Sequence, residues 1–200
     1  MKPELLLPAG NAEGFFAAAE GGANAVYLGL KKFNARGRAK NFTIRQLQAL
    51  LVEAKKRNIK VYITLNTLIK NSELNELLDI LYALSQTDIS AIIIQDIGLI
   101  YLLRKYFPKM RFHASTQMGF HNSLASSFAE KHGFERIILA RELTFPELQT
   151  ISVKSKVQLE IFTHGALCYA FSGKCLFSSW LGGMSANRGM CRQPCRRKYE

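Results

Sequence analysis

The hydrophobic residues of this chain fall into short runs that alternate with longer amphipathic segments. Continuous apolar runs such as 91–94 and 137–139 are typical of parallel strands that are covered on both faces. Seven segments fit strands: 4–7, 25–30, 60–65, 91–95, 111–115, 136–140 and 157–162. Six intervening segments fit helices: 12–21, 43–57, 72–85, 98–106, 122–132 and 144–151.

Strands that alternate with helices in this way predict a parallel α/β fold. We expect a (β/α)8 TIM-barrel-like architecture that is incomplete in 200 residues, because such a barrel normally takes about 250. The chain would then be a fragment of a longer protein. Residues 1–163 would form the barrel portion, and 164–200 a cysteine-rich segment that continues the same domain after the seventh strand. A doubly wound open sheet is the alternative, although no G-x-G-x-x-G motif follows the first strand.

Composition indicates a protein that folds and does not enter a membrane. Hydrophobic residues make up 48% and charged residues 21%, which separates the chain from disordered sequences. No apolar run approaches the roughly 20 residues of a membrane span, and the leucines at 5–7 are too few for a signal peptide. We therefore expect a soluble cytoplasmic protein, in which thiols stay reduced and a disulfide framework is disfavoured.

The net charge of +12 is concentrated in two stretches. Residues 31–60 contain ten Lys or Arg against one acid, Glu53, and residues 188–198 contain five basic residues and no acid. A field of this sign attracts polyanions, of which nucleic acid is the commonest, although a solvated basic surface is the alternative. The candidate nucleic-acid contacts are Arg36, Arg38, Arg188, Arg192, Arg196 and Arg197.

Polar residues follow several of the predicted strands. In a barrel, chemistry lies at the carboxyl ends of the strands, so side chains placed there would converge on one rim. Ordinary loop capping is the alternative for each residue taken singly. Gln95-Asp96 after the fourth strand and Ser115 after the fifth belong to this set. The candidate catalytic residues are Asn66, Asp96, His113, Gln117, Arg141, Glu142 and His164.

All four cysteines lie in the last 33 residues, with the spacing C-x6-C-x15-C-x3-C. Four thiolates in one glycine-rich segment suit an iron–sulfur cluster or zinc. Structural zinc usually takes paired C-x2-4-C motifs, and only the second pair fits that spacing. The spacing therefore favours a cluster, while zinc and reduced free thiols or a redox pair are the alternatives. The candidate ligands are Cys168, Cys175, Cys191 and Cys195.

Four stretches of the chain resemble the collagenase-like peptidase family U-32: 5–11, 22–29, 160–178 and 182–196. The resemblance implies a [4Fe–4S] cluster on the four cysteines. Residues 182–196 are most similar to the branch that hydroxylates a cytidine of 23S ribosomal RNA. Near relatives hydroxylate a tRNA wobble uridine, and others a ubiquinone precursor. The resemblance also implies prephenate as a co-substrate of the RNA-modifying members, which are typically longer, with further C-terminal domains.

Two classes of enzyme are consistent with these features. An RNA base hydroxylase would use the basic stretches for phosphate contact, and aromatic side chains of the cysteine segment for stacking on a base, unless they only pack around the cluster. A peptidase is the alternative, but the sequence has no H-E-x-x-H or G-x-S-x-G motif. A dyad of Cys168 with His164 would use a cluster ligand as the nucleophile. A non-catalytic RNA-binding role and a small-molecule hydroxylase are further alternatives.

Overall fold

The computed structural model describes residues 2–171 and 173–199. Its strands form one parallel sheet whose spatial order follows the sequence from the first to the seventh strand. A doubly wound sheet would reverse its order at the centre, so this topology excludes that alternative. The predicted architecture, an incomplete barrel of the (β/α)8 type, is confirmed. The strands are β1 (Leu6–Pro8), β2 (Ala25–Gly29), β3 (Lys60–Leu65), β4 (Ala91–Ile94), β5 (Phe112–Ala114), β6 (Arg136–Ile138) and β7 (Gln158–Glu160).

A helix follows each of the first six strands, as the sequence pattern predicts. Polar side chains cap the amino ends of several of these helices. Asn11 accepts a hydrogen bond from the Gly14 N–H at 2.8 Å, and Thr43 forms a capping box with Gln46. None of the helices in residues 2–171 and 173–199 has the length and apolar character of a membrane span. These helices are α1 (Ala12–Glu20), α2 (Ile44–Lys56), α3 (Leu74–Ser85), α4 (Ile97–Tyr106), α5 (Ser123–Lys131) and α6 (Phe145–Lys154).

The strands separate two hydrophobic cores because successive side chains point to opposite faces. The outer core lies between the sheet and the helices, and it includes Ile92 and Ile94 of β4. The inner core lies in the barrel lumen and contains Ala91 and Ile93 of the same strand, together with Ala25, Tyr62 and Ile138. This alternation decides which side chains of each strand reach the lumen.

An ion network on Glu4 closes the amino-end floor of the lumen. The Glu4 carboxylate accepts hydrogen bonds from Lys60 Nζ at 2.7 Å, the Tyr62 hydroxyl at 2.8 Å and Arg136 Nη1 at 2.7 Å. Burial alone would raise the pKa of the Glu4 carboxyl, but these three hydrogen bonds outweigh burial and lower the pKa to about 2. Glu4 therefore stays ionised in the folded chain.

His113 lies in the lumen directly above this floor. Its ring packs edge-on against Tyr62, with 4.8 Å between the ring centroids, and its strand position pairs with Arg136 of β6. Burial and the nearby Arg136 charge lower the pKa of His113 to about 3. The imidazole is therefore neutral at pH 7. His113 lies within β5, as the predicted strand 111–115 implies, and the structure places its side chain in the lumen beside Tyr62.

The cysteine segment docks on the carboxyl-end rim of the barrel. The Gly37 N–H donates to the Gly189 carbonyl at 3.0 Å, and the Leu68 N–H donates to the Asn187 carbonyl at 3.1 Å. Arg188 forms a two-pronged ion pair with Glu73, and its Nη1 also donates to the Leu68 carbonyl at 2.7 Å. These contacts join the segment to the loops that follow β2 and β3.

Two glycines make this docking close. A Cβ on Gly189 would lie 2.1 Å from the Asn34 carbonyl oxygen, and a Cβ on Gly173 would lie 2.1 Å from the Gln117 carbonyl oxygen. Both glycines also have positive φ, at +77° and +75°. Between them lies a short helix that the sequence pattern did not predict, α7 (Phe177–Trp180).

The buried His113 and Glu4 predict separate windows of acid destabilisation. Because the pKa of His113 falls from 6.5 to about 3 on folding, the free energy of unfolding should decline from pH 6.5 downward. Glu4, whose pKa falls from 4.5 to about 2, should steepen the decline below pH 4.5. Each group contributes up to about 1.4 kcal/mol per pH unit. Urea unfolding across pH should show that His113→Gln removes the upper decline and that Glu4→Gln makes the lower one less steep, since Glu73, with its pKa also lowered to about 2, contributes there as well.

The exposed His164 provides the matched control, because His164→Gln removes a histidine without touching the lumen. Its unfolding curve should keep the wild-type dependence on pH. Parallel curves for wild type and His113→Gln between pH 6.5 and 4.5 would contradict the neutral buried imidazole.

The docking glycines predict different costs for the same substitution. Gly189→Ala and Gly183→Ala both place a side chain at positive φ, but only position 189 faces a carbonyl oxygen, since position 183 opens onto free space. Gly189→Ala should therefore destabilise the docked segment by about 1–3 kcal/mol more than Gly183→Ala. Trypsin cleavage after Arg192, followed over time, measures this undocking. Equal cleavage rates in the two variants would show that the glycine contact does not hold the segment.

Candidate cysteine-rich site at the barrel rim

Hydrogen bonds made by residues next to the cysteines bring the four cysteines into one region. Arg196 Nη2 donates to the Leu167 carbonyl at 2.9 Å, which joins the residues next to Cys195 and Cys168. The Arg192 N–H donates to Ser178 Oγ at 3.0 Å, which joins the neighbour of Cys191 to α7. Helix α7 begins two residues after Cys175. The two hydrogen bonds therefore bring the first pair of cysteines, Cys168 and Cys175, near the second pair, Cys191 and Cys195.

The thiols themselves are free, and they do not form a closed ligand set. In residues 2–171 and 173–199, no group of three or more His, Cys, Asp or Glu side chains is arranged to hold a metal ion. One feature suits a cluster: the Gln193 N–H donates to Cys191 Sγ at 3.4 Å, as backbone amides do toward cluster-bound sulfur. The donor chemistry therefore fits a [4Fe–4S] cluster, and binding would have to draw the thiolates together.

Two of the predicted rim residues organise the loops beneath the segment. Asn66 Oδ1 accepts from the Ala35 N–H at 2.9 Å, and this fixes the loop that carries Gly37. Asp96 caps α4 through the Gly98 N–H at 2.8 Å and accepts from the Ile69 N–H at 2.9 Å. Both side chains thus position backbone at the rim.

The other candidate catalytic residues occupy different places. Gln117 lies in the turn after β5, where Gly173 packs on its carbonyl and its Oε1 is buried. Arg141 and Glu142 lie in the turn between β6 and α6. His164 is exposed at the start of the cysteine segment. The contact between Gly173 and the Gln117 carbonyl joins Gln117 directly to the segment.

Docking brings the two basic stretches of the sequence together. Arg36 and Arg38 flank Gly37, which is hydrogen bonded to Gly189, two residues before Cys191. The predicted contacts divide into two groups by their side-chain partners. Arg188 is held by Glu73, and Arg196 by the Leu167 carbonyl. The other four predicted arginines are exposed, and their side chains make no hydrogen bond or ion pair within residues 2–171 and 173–199. They are Arg36, Arg38, Arg192 and Arg197.

The first basic stretch is divided between the two ends of the barrel. Helix α2 runs back from the carboxyl-end rim, so its last residues, Lys55 and Lys56, lie at the amino end. There they pair with Asp88 at 3.3 Å and Glu53 at 2.7 Å. Only the part of the stretch around Arg36 therefore faces the cysteines.

Glu73 is a site residue that sequence reasoning missed. Its carboxylate receives Arg188 from 115 positions away, and hydrogen bonds from Arg188 and from the Lys70 backbone lower the pKa of Glu73 to about 2. In the sequence, Glu73 stands near the start of a predicted helix, where acidic residues are common. That position gives no indication that the side chain binds a distant arginine.

Comparison with known proteins places the chain among RNA-modifying and peptidase relatives. It is 38% identical to tRNA hydroxylation protein P1 of Bacillus subtilis (strain 168), over 100% of this chain and 47% of the relative. It is also 38% identical to the 23S rRNA 5-hydroxycytidine C2501 synthase of Escherichia coli (strain K12), over 98% of this chain and 29% of that relative. The chain thus spans about half or less of the length of these curated relatives.

A solved structure supports the fold. The U32 peptidase Mk0906 aligns with a TM-score of 0.68 and 12% sequence identity, over 80% of this chain and 68% of that one. The sequence profile described as peptidase family U32 matches residues 10–200. Since this match covers nearly the whole length and agrees with the barrel topology, the chain belongs to peptidase family U32.

Proposed function

We propose that this chain is the cluster-bearing barrel of an RNA base hydroxylase. The observation that carries the proposal is similarity along the whole chain to two relatives that are named for hydroxylation of tRNA and of 23S rRNA. The similarity includes the segment in which the four cysteines dock on the barrel rim. Of the two targets, a cytidine of 23S rRNA is the one that the sequence of residues 182–196 favours.

In this proposal the four cysteines hold a [4Fe–4S] cluster. Thiolate-bound iron supplies redox chemistry that ordinary side chains cannot. The chain's own contribution is to hold the segment in place: the Arg188–Glu73 pair and the Gly189 contact fix one part, and Gly173 fixes the other. The Gln193 N–H donates a hydrogen bond to Cys191 Sγ.

RNA would bind across the rim, next to the cysteines. The exposed guanidinium groups of Arg36, Arg38, Arg192 and Arg197 are free to contact phosphates. Tyr169 and Trp180 of the segment are largely exposed, at 92% and 81%, and aromatic rings in a basic surface stack on unpaired bases. We give Arg188 a positioning role instead, because Glu73 neutralises it.

Two further parts of the proposal follow from the family resemblance. Prephenate would be the co-substrate of the hydroxylation. The protein would act in the cytoplasm, where its RNA substrates are found and where thiols remain reduced. A direct assay can include or omit prephenate, so this part is separable from RNA binding.

The peptidase alternative has support in the family name but little in the site. Cys168 and His164 are both exposed, and they share no hydrogen bond within the described ranges 2–171 and 173–199. A cysteine nucleophile needs a base within hydrogen-bond reach. Collagen cleavage by the pure protein, with no change in RNA, would favour the peptidase.

Loss of one cysteine should release the iron. Anaerobically purified wild-type protein should be brown and contain iron and sulfide, because four thiolates hold the cluster. Cys191→Ser should lose most of both, as measured by iron and sulfide analysis and visible absorbance. Met184→Ala, in the same segment, is the control and should keep them. A colourless wild-type protein with stoichiometric zinc would contradict the cluster.

Charge removal at the rim should weaken RNA binding more than the same change at the opposite end. Arg36→Ala with Arg38→Ala should lower the slope of log Kobs against log salt by about 0.7 for each lost phosphate contact with single-stranded RNA. Fluorescence anisotropy over a salt series, with a labelled single-stranded RNA, measures the slope. The double variant should also reduce hydroxylated nucleoside, detected by mass spectrometry after incubation with prephenate.

Lys55→Ala with Lys56→Ala is the matched control, because it removes two positive charges from the amino end of the barrel. Their exposed ion pairs contribute little to stability, so the fold should persist. Equal effects of the two double variants would show that binding responds to net charge and not to the rim.

A further inference from the structure

The described residues, 2–171 and 173–199, contain three buried side-chain atoms that have no hydrogen-bond partner. They are Gln95 Oε1, His113 Nδ1 and Gln117 Oε1. Native proteins leave few such atoms, since a buried polar group without a partner lowers stability. All three belong to β5 or to the residues just after β4 and β5, which are adjacent in the sheet. Their concentration at one place indicates that something else supplies the missing partners.

The two glutamines follow adjacent strands of the barrel. Gln95 follows β4, in which Ala91 and Ile93 face the lumen, so strand alternation directs Gln95 inward as well. It is only 7% exposed. Ile94 pairs with Ala114 of β5, and the Gln117 N–H donates to Ser115 Oγ at 3.2 Å. Gln95 is therefore directed into the carboxyl-end opening of the lumen, and Gln117 lies in the turn after the neighbouring strand, with its Oε1 buried.

This opening lies beneath the cysteine segment. Gly173 packs on the Gln117 carbonyl, and the ring of Phe171 lies 3.1 Å from the position of a Cβ on Gly119. Cys175 follows Gly173 by two residues. A molecule held by the glutamines would thus lie at the boundary between the lumen and the segment that bears the candidate ligands.

The surroundings favour a neutral ligand with both donors and acceptors. A glutamine amide offers one carbonyl acceptor and two N–H donors, and it carries no charge. His113, deeper in the lumen, is neutral at pH 7, and the charges of the floor are paired with one another. The edge of a nucleobase presents donors and acceptors in the complementary arrangement.

We propose that Gln95 and Gln117 line a pocket for a single nucleobase extruded from RNA, and that their amides pair with its hydrogen-bonding edge. The phosphates of the same strand would stay outside, on the exposed arginines of the rim. Such a pocket presupposes the proposed RNA function, because only an RNA substrate would bring a base to this place. It assigns recognition of the target base to the barrel, and not to the cysteine segment.

The test compares two single-stranded RNAs that differ at one position, which carries either cytidine or an abasic ribose. Wild-type protein should bind the cytidine strand about tenfold more tightly, the effect expected of a good pair of base contacts. Gln95→Met and Gln117→Met should each reduce this preference to near one, while binding of the abasic strand is unchanged. Gln48→Met, at an exposed site on α2, should keep the full preference.

Thermal unfolding of the same variants separates recognition from folding. Removal of an unpaired buried amide should leave the melting temperature of Gln95→Met at or above that of wild type. If both variants keep the full base preference, or if wild type binds both strands equally, water satisfies the glutamines and the pocket is wrong. If wild type binds neither strand, the proposed RNA function fails as well.

Discussion

The contact between Glu4 and Arg136 links the first and sixth strands across the floor of the barrel. Glu4 precedes the first strand and Arg136 begins the sixth, so the contact spans 132 positions of sequence. A buried carboxylate is tolerated only with partners, and three donors meet this one. The floor of the lumen is therefore polar and internally satisfied. With the amino end fixed in this way, the loops at the other end are free to carry a site, as in other barrels of this type.

The rim depends on a different kind of contact, in which backbone meets backbone. Gly189 and Gly173 approach loop carbonyls more closely than a residue with a side chain could. One ion pair, Arg188 with Glu73, also joins the segment to the rim. The docking therefore places few demands on the side chains between these points. Of the four cysteines, Cys175 lies between these points, and the other three lie just outside them, next to exposed aromatic rings and arginines, where the proposed cluster and the proposed RNA contacts would form.

The periodicity of the sequence predicted every strand and the first six helices, because each of these elements has an apolar pattern of its own. Strand ends were less accurate: 157–162 became Gln158–Glu160, since pairing with β6 decides where that strand ends. Helix α7 is too short to show a period. The cysteines could be recognised from the sequence because the residue is absent from the rest of the chain. Glu73 and the unpaired state of Gln95 were not, because each is defined by residues distant in sequence.

The ion network at the floor and the glycine contacts that dock the cysteine segment are independent of each other. This independence has a consequence for the order of assembly. In small zinc domains the metal supplies most of the folding energy, and the apoprotein is unfolded. Here the contacts that hold the lumen, the helical shell and the docked segment are made by residues other than the four cysteines. Folding of the barrel would therefore not require the proposed cluster, and cluster insertion would rearrange the segment on both sides of Gly173 and beyond Gly189, where the four cysteines lie. When iron is short, the protein would then stay folded without its cluster and could still take one up later, and it would not aggregate.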